Sequence, residues 1–161
     1  MGLLITTGKS PGASARSVAK ALFLCFPHSC LEGRGKRSLS SLAAKARKKS
    51  IGRICALYSE AGKPCSLQVL SLSKAGFEWL APRIMITGVS LHQLPKRKAQ
   101  ACCVQFKGTK AASLRNLFCG DECNECEKGC KSGSKISTGA DKITLCLSGK
   151  KLLTLGVEYE G

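Results

Sequence analysis

Residues Leu3–Phe26 read LLITTGKSPGASARSVAKALFLCF. The first five are apolar or β-branched, and Gly8, Pro11 and Gly12 follow at once, which reads as a strand over Leu3–Thr7 running into a loop. From Ser14 the spacing turns helical. Val18, Leu22 and Phe26 recur on one face, Arg16 and Lys20 lie near another, and Pro27 stops the run. A strand, a glycine-bearing loop and an amphipathic helix in direct succession open an α/β unit.

Working outward, a second helix is expected from Ser38, a suitable N-cap, to Lys49, with Leu39, Leu42, Ala43 and Ala46 as its apolar stripe. Ile54–Tyr58 and Leu67–Leu72 read as strands joined by the turn-rich Ser59-Glu60-Ala61-Gly62-Lys63-Pro64. The second half repeats this grammar in shorter form. Ala101–Phe106 reads as a strand, Gly108 and Lys110 as a loop, and Ala111–Phe118 as a short helix. Ile143–Leu147 and Leu152–Tyr159 then read as strands joined by Ser148-Gly149-Lys150, while the middle, Trp79 to Gln105, completes the first half's sheet and crosses over. The expected fold class is α/β: two similar αβ halves, approximately 1–90 and 91–161 of a single domain over 1–161, related by internal duplication, with mixed sheets and outer helices.

The chain has 161 residues, 43% of them hydrophobic, enough for a folded core in one domain of ordinary size. No run approaches the ~20 apolar residues of a membrane span, and the apolar stretch at Leu3–Ile5 is too short for a signal peptide. MGLLIT formally fits N-myristoylation through Gly2 and Thr6, but the same residues serve better as the opening strand. An intracellular, cytoplasmic protein with no membrane partner is expected.

The residues argue against catalysis. Gly8-Lys9-Ser10 follows a strand as in a phosphate-binding loop, but the glycine required five residues earlier is Leu3. His28 and His92 are the only histidines, and Glu32, Glu60 and Glu78 are widely scattered, so no base, nucleophile and orienting group can be assembled. No motif calls for a cofactor or a small-molecule substrate.

Charge is the stronger signal. Lys and Arg number 26 against 10 acidic residues, a net charge of +16. Residues 1–80 alone hold 13 basic and 3 acidic side chains, and such a surface favours a polyanion: RNA, DNA or a membrane surface would serve, although the helices need their apolar faces for the core rather than for a membrane. The loops Gly8–Ser14, Gly33–Arg37 and Gly108–Lys110 each join glycine, basic residues and a following helix, whose first-turn amides suit phosphate. The candidate RNA-binding residues are therefore Lys9, Arg16, Lys20, Arg34, Lys36, Arg37, Lys110 and Arg115, with Lys96-Arg97-Lys98 as a further basic group. Aromatic residues make up only 5%, which argues against base-stacking sheets and for readout of backbone and shape in structured RNA.

Eleven cysteines are unusual. Cys119, Cys123, Cys126 and Cys130 form C-x3-C-x2-C-x3-C inside an acidic segment, a spacing that leaves metal, disulfides and plain thiols open, so no metal site is assigned. Cys25, Cys55, Cys65, Cys102, Cys103 and Cys146 sit in apolar runs and read as small core residues.

Three words resemble the Brix domain, in its short stand-alone archaeal form. They are LLITTGKSPGASARSVAKAL, then Arg34-Gly35-Lys36-Arg37-Ser38-Leu39, similar to Arg-Gly-Lys-x-Ser-Leu, and Ser59-Glu60-Ala61-Gly62-Lys63-Pro64, similar to Ser-Glu-x-x-Gly-x-Pro with one residue fewer. They span about the first 72 residues in the family's order. Gly8 and Ser14 stand where the family tends to have arginine, and an extra residue lies near Ser10, which leaves Lys9 and Arg16 to serve the first loop. The resemblance implies a ribosome biogenesis factor that binds precursor ribosomal RNA during processing and assembly, alongside other assembly proteins. It also implies two similar halves akin to the anticodon-binding domains of class II aminoacyl-tRNA synthetases. The alternatives are a tRNA-binding accessory module, or a metal-binding nucleic-acid protein built on Cys119–Cys130.

Overall fold

A computed structural model describes residues 2–96, 99–121, 125–127 and 130–161. Among the described residues, nine strands and three helices follow in the order β1 (Leu3–Thr7), α1 (Ala13–Cys25), β2 (Cys30–Glu32), α2 (Leu39–Lys48), β3 (Arg53–Glu60), β4 (Lys63–Leu72), β5 (Phe77–Leu91), β6 (Val104–Gly108), α3 (Ala111–Phe118), β7 (Ser134–Thr138), β8 (Lys142–Leu147) and β9 (Lys150–Glu160). The strands form one mixed sheet in the order β2-β1-β3-β4-β5-β9-β8-β7-β6. β1 runs parallel to β2 and β3, β6 runs parallel to β7, and every other pairing is antiparallel.

The opening segment folds as its pattern dictates. All five residues of β1 are buried, because β1 lies between two strands and is covered on both faces. Leu3 and Ile5 face α1, and Leu4 faces α2. α1 buries Ala15, Val18, Ala19, Ala21, Leu22, Leu24 and Cys25, and its alanines let it sit close to the sheet. Pro27 forces Phe26 into an extended conformation, which ends the helix. Gln100 then closes that end: its amide donates to the carbonyls of Phe23, Phe26 and Ser29, at and just beyond the end of the helix.

α1 packs against β1, β2, β3 and β4 of the first half and against β8 and β9 of the second. In a flat sheet β2 and β8 would lie about 29 Å apart, far wider than the ~10–12 Å of one helix. The sheet therefore curls around α1. Leu114, Leu117 and Phe118 of α3 join the same inner cluster, where the Phe26 and Phe118 ring centroids are 5.1 Å apart. α2 lies on the opposite, outer face, where Leu42, Ala43 and Ala46 cover Leu4, Ile54 and Leu70. Ser38 caps it as its side chain suggests, accepting from the Ser41 amide at 3.1 Å.

Three features differ from the sequence reading. The halves do not build separate sheets; β5 and β9 pair and fuse them into one, and only α2 lies outside. The strand expected at Ala101–Phe106 begins at Val104, because Ala101 is buried in the crossing segment and donates to the Leu24 carbonyl. β2 and β7 complete the sheet where no strand pattern was apparent, while β5 extends it from the middle of the chain as expected. On either side of the β5–β9 seam the order of connections matches: a strand, a helix-bearing crossover to a parallel strand, then two antiparallel strands. The first hairpin of each half turns on two left-handed residues or a short loop, with Ala61 and Gly62 (φ 48 and 77) closing β3–β4. Among the described residues, no helix is long and apolar enough to cross a membrane.

Candidate nucleic-acid interface

Each half places a loop and a helix N-terminus at the C-terminal end of its parallel strand pair, the position where open α/β sheets take ligands. After β1, the loop presses on the β3–β4 turn so closely that a Cβ on Gly12 would lie 2.1 Å from the Gly62 carbonyl oxygen. After β6, Gly108 (φ +112) packs equally tightly on the Thr138 carbonyl, and Thr138 Oγ1 accepts from the Lys110 amide at 3.2 Å. Gly12 is the N-cap of α1 and Lys110 that of α3; neither helix has a side-chain cap or an acidic residue in its first turn. Their first amides and dipoles are thus open to an anion.

The basic residues singled out from the sequence divide into two sets. Arg16 folds back onto the Pro11 carbonyl at 3.0 Å, and Arg34 Nε donates to the Arg37 carbonyl at 3.3 Å. Arg37 joins Lys45 and Lys49 around Glu32, at 3.3, 2.7 and 3.6 Å. The hydrogen bond from Lys45, with its neighbouring charges, holds Glu32 below the usual carboxylate range. Arg115 pairs with Glu125 at 2.9 Å, and Lys110 Nζ lies 5.5 Å from the centroid of the Tyr159 ring. No ion pair or hydrogen bond among the described residues engages Lys9, Lys20 or Lys36. Arg97 and Lys98 lie outside the described residues.

Two further arginines from the basic segment around α2 tie elements together. Arg47 donates to the carbonyls of Ser73 (3.0 Å) and Gly76 (2.6 Å) and so closes the β4–β5 turn. Arg53 reaches from the start of β3 to the Asn116 and Leu117 carbonyls at the end of α3, where a cation also complements the helix dipole.

A further basic surface is one that motif reading missed. α1 and α3 occupy the inner cluster and α2 covers only strands of the first half, β1 to β4, so the outer face of β6–β9 carries no helix. Directly opposed residues share a face, which sets Lys107, Ser137, Thr144 and Thr154 in one row. Gln105, Lys135, Cys146 and Lys151 form the next row, and Lys142 stands opposite Gly156. None of these residues is buried, and Lys107, Lys135, Lys142 and Lys151 are exposed. A shallow groove of about 460 Å³ runs between Lys107, Lys135 and Lys142, with Asp141 as the acid on its lining. The available signal was the alternation Lys135-Ile136-Ser137-Thr138 and Lys142-Ile143-Thr144-Leu145, polar out and apolar in.

The cysteines regroup. Cys103 is buried as expected, but Cys102 is exposed, and the sulfurs of both lie beside that of Cys130. Cys103 and Cys126 are joined as a disulfide, Cys102 Sγ lies 3.0 Å from Cys130 Sγ, and Cys103 Sγ lies 3.4 Å from Cys130 Sγ. Cys119 closes α3 against the inner cluster instead, and Cys123 lies outside the described residues. Cys25 and Cys55 are core residues as expected, and burial pushes both thiols up to about 12.

No family model matches the chain, and no curated protein matches it in sequence. Its architecture does have solved counterparts. A probable ribosomal biogenesis protein from Aeropyrum pernix K1 superposes with a TM-score of 0.74 at 20% identity, covering 97% of this chain and 94% of that one. Mil (Mth680), an archaeal Imp4-like protein, superposes with a TM-score of 0.68 at 20% identity, covering 98% of each chain. The chain has the fold of these archaeal proteins. The likeness runs through both halves.

Proposed function

We propose that this chain is a Brix-domain ribosome biogenesis factor, one domain over 1–161, that binds precursor ribosomal RNA during processing and subunit assembly without catalysing a reaction. The observation that carries this reading is the uncovered outer face of β6–β9, where four exposed lysines stand among serine and threonine with no ion pair among the described residues. A basic, hydroxyl-bearing sheet face without aromatic residues suits a sugar–phosphate backbone better than bases. Lys9, Lys20 and Lys36, together with the open starts of α1 and α3, supply further phosphate contacts. Arg16, Arg34, Arg37, Lys110 and Arg115 serve mainly to hold the loops that present them.

The shared fold with a protein described as a probable ribosomal biogenesis protein, and the three sequence words that resemble the Brix domain, both support the assembly role. The matching connections on either side of the β5–β9 seam support an origin by internal duplication, the same plan that the resemblance attributes to anticodon-binding domains. The reading puts the protein in the cytoplasm with other assembly proteins as partners. Crosslinking in cells followed by sequencing of the attached RNA tests it. Reads concentrated in precursor ribosomal RNA are expected, and a predominance of transfer RNA would overturn the assignment.

A further inference from the structure

Four sulfurs converge where three separated segments meet. Cys102 and Cys103 immediately precede β6. The bridge between Val104 and Glu125 lays Cys126 beside them. The parallel register Val104↔Ser134 brings the segment just before β7 alongside, and Cys130 turns back toward it, with its amide donating to the Glu127 carbonyl at 3.2 Å. The Cys102, Cys103 and Cys130 sulfurs lie within 4.8 Å of one another, at 3.0, 3.4 and 3.6 Å, and Cys126 Sγ is bonded to Cys103 Sγ. Thiolates held about 2.3 Å from a tetrahedral zinc ion are separated by about 3.8 Å, so the cluster already approaches that geometry.

The backbone around the cluster is shaped to hold it. A Cβ on Gly133 would lie 2.6 Å from Cys126 Sγ, 2.8 Å from Cys103 Sγ and 3.5 Å from Cys130 Sγ, so the missing side chain is the space the sulfurs occupy. Ser132 Oγ donates to Cys102 Sγ at 3.3 Å. Ser134 N donates to the Cys103 carbonyl at 2.9 Å, which fixes the chain carrying Cys103 against the chain carrying Gly133. Such donors around sulfur orient metal-bound thiolates.

We infer that Cys102, Cys103, Cys126 and Cys130 form a structural site for one zinc ion. A disulfide between Cys103 and Cys126 and a metal on the same sulfurs exclude each other. With the disulfide present, Cys102 and Cys130 are two thiols in contact with it, poised for exchange among several pairings. Zinc is the occupant that uses all four sulfurs at once, and where thiols are kept reduced it is the state that forms. The ion ties the acidic segment to the edge of the sheet beside β6, where Glu125 also holds Arg115.

The full chain, purified under reducing conditions without chelator and with one equivalent of zinc added, tests the site by elemental analysis for zinc and iron. One zinc per chain is expected. C102S and C130S should each weaken zinc binding more than about 100-fold, whereas C65S, on β4, should not. Circular dichroism identifies any variant that fails to fold. Cobalt substitution of the unmutated chain is a second readout, with the visible spectrum of tetrahedral thiolate ligation expected. Metal-free reduced protein, iron in place of zinc, a cobalt spectrum without thiolate ligation, or zinc unchanged in folded C102S and C130S would each overturn the inference.

Discussion

Replacing Lys107, Lys135 and Lys142 together with glutamine should flatten the salt dependence of RNA binding. All three are exposed, point outward from β6, β7 and β8, and line one groove, so a single strand or helix edge can touch them at once. Each phosphate contact contributes about 0.7 to the slope of log affinity against log salt for a single strand and about 0.9 for a duplex. Loss of three contacts lowers the slope by about 2–3. Between 50 and 200 mM salt, the unmutated chain should therefore lose about 20- to 40-fold more affinity than the variant. The assay is fluorescence anisotropy with a structured ribosomal RNA fragment across that salt range. Surface changes of this type shift stability by about 0.5 kcal/mol or less, so thermal melting should show the variant folded. A folded variant whose slope matches that of the unmutated chain would refute the assignment of this face. K9Q, K20Q and K36Q, combined in a second variant, measure the share carried by the first half.

Arg53→Met should destabilise the fold by about 1–3 kcal/mol in urea unfolding, because it leaves the carbonyls at the end of α3 without their cation. Gly108→Ala places a methyl group against the Thr138 carbonyl at a left-handed φ, and should cost at least about 1–3 kcal/mol by the same measurement. Glu32 has a folded pKa below its unfolded one, so its contribution is present above the unfolded value and lost as pH falls through the folded value. Glu32→Gln should therefore remove about 1 kcal/mol or less near neutral pH, and the difference should vanish in acid and shrink with salt. With thiols pushed up to about 12, Cys25 and Cys55 should resist alkylation in the native state at pH 8, as mass spectrometry of labelled peptides can establish.

Much of the fold was readable because it depends on local periodicity. β1, β3, β4, β8 and β9 and all three helices bury one stripe or both faces, and their apolar residues recur accordingly. β5 hides its extent because much of it is exposed, it carries Pro82, and its register shifts against both neighbours. β7 offers only Ile136 as a bulky apolar residue, and its strand conformation is imposed by β6 and β8 on either side. That long-range pairing also creates the lysine face. Lys107, Lys135 and Lys142 stand far apart along the chain, and only the register brings them onto one groove.

The same distinction separates the arginines from the lysines of the candidate interface. Arg16, Arg34, Arg37 and Arg115 were picked for standing near glycine loops, but a guanidinium's planar fork finds carbonyls and carboxylates wherever a loop offers them. Lysine is a strongly hydrated point charge and stays in solvent unless an acid lies within reach. Acids are scarce here, and Glu32 alone takes three of the cations. The excess charge is thus left mostly on lysines, where pairing with a phosphate would release the counterions condensed on the nucleic acid. The cysteines followed the opposite rule. Their spacing grouped Cys119 with Cys130, but the parallel register of β6 and β7 selects Cys102 and Cys103 as partners, and no count along the chain reports a register.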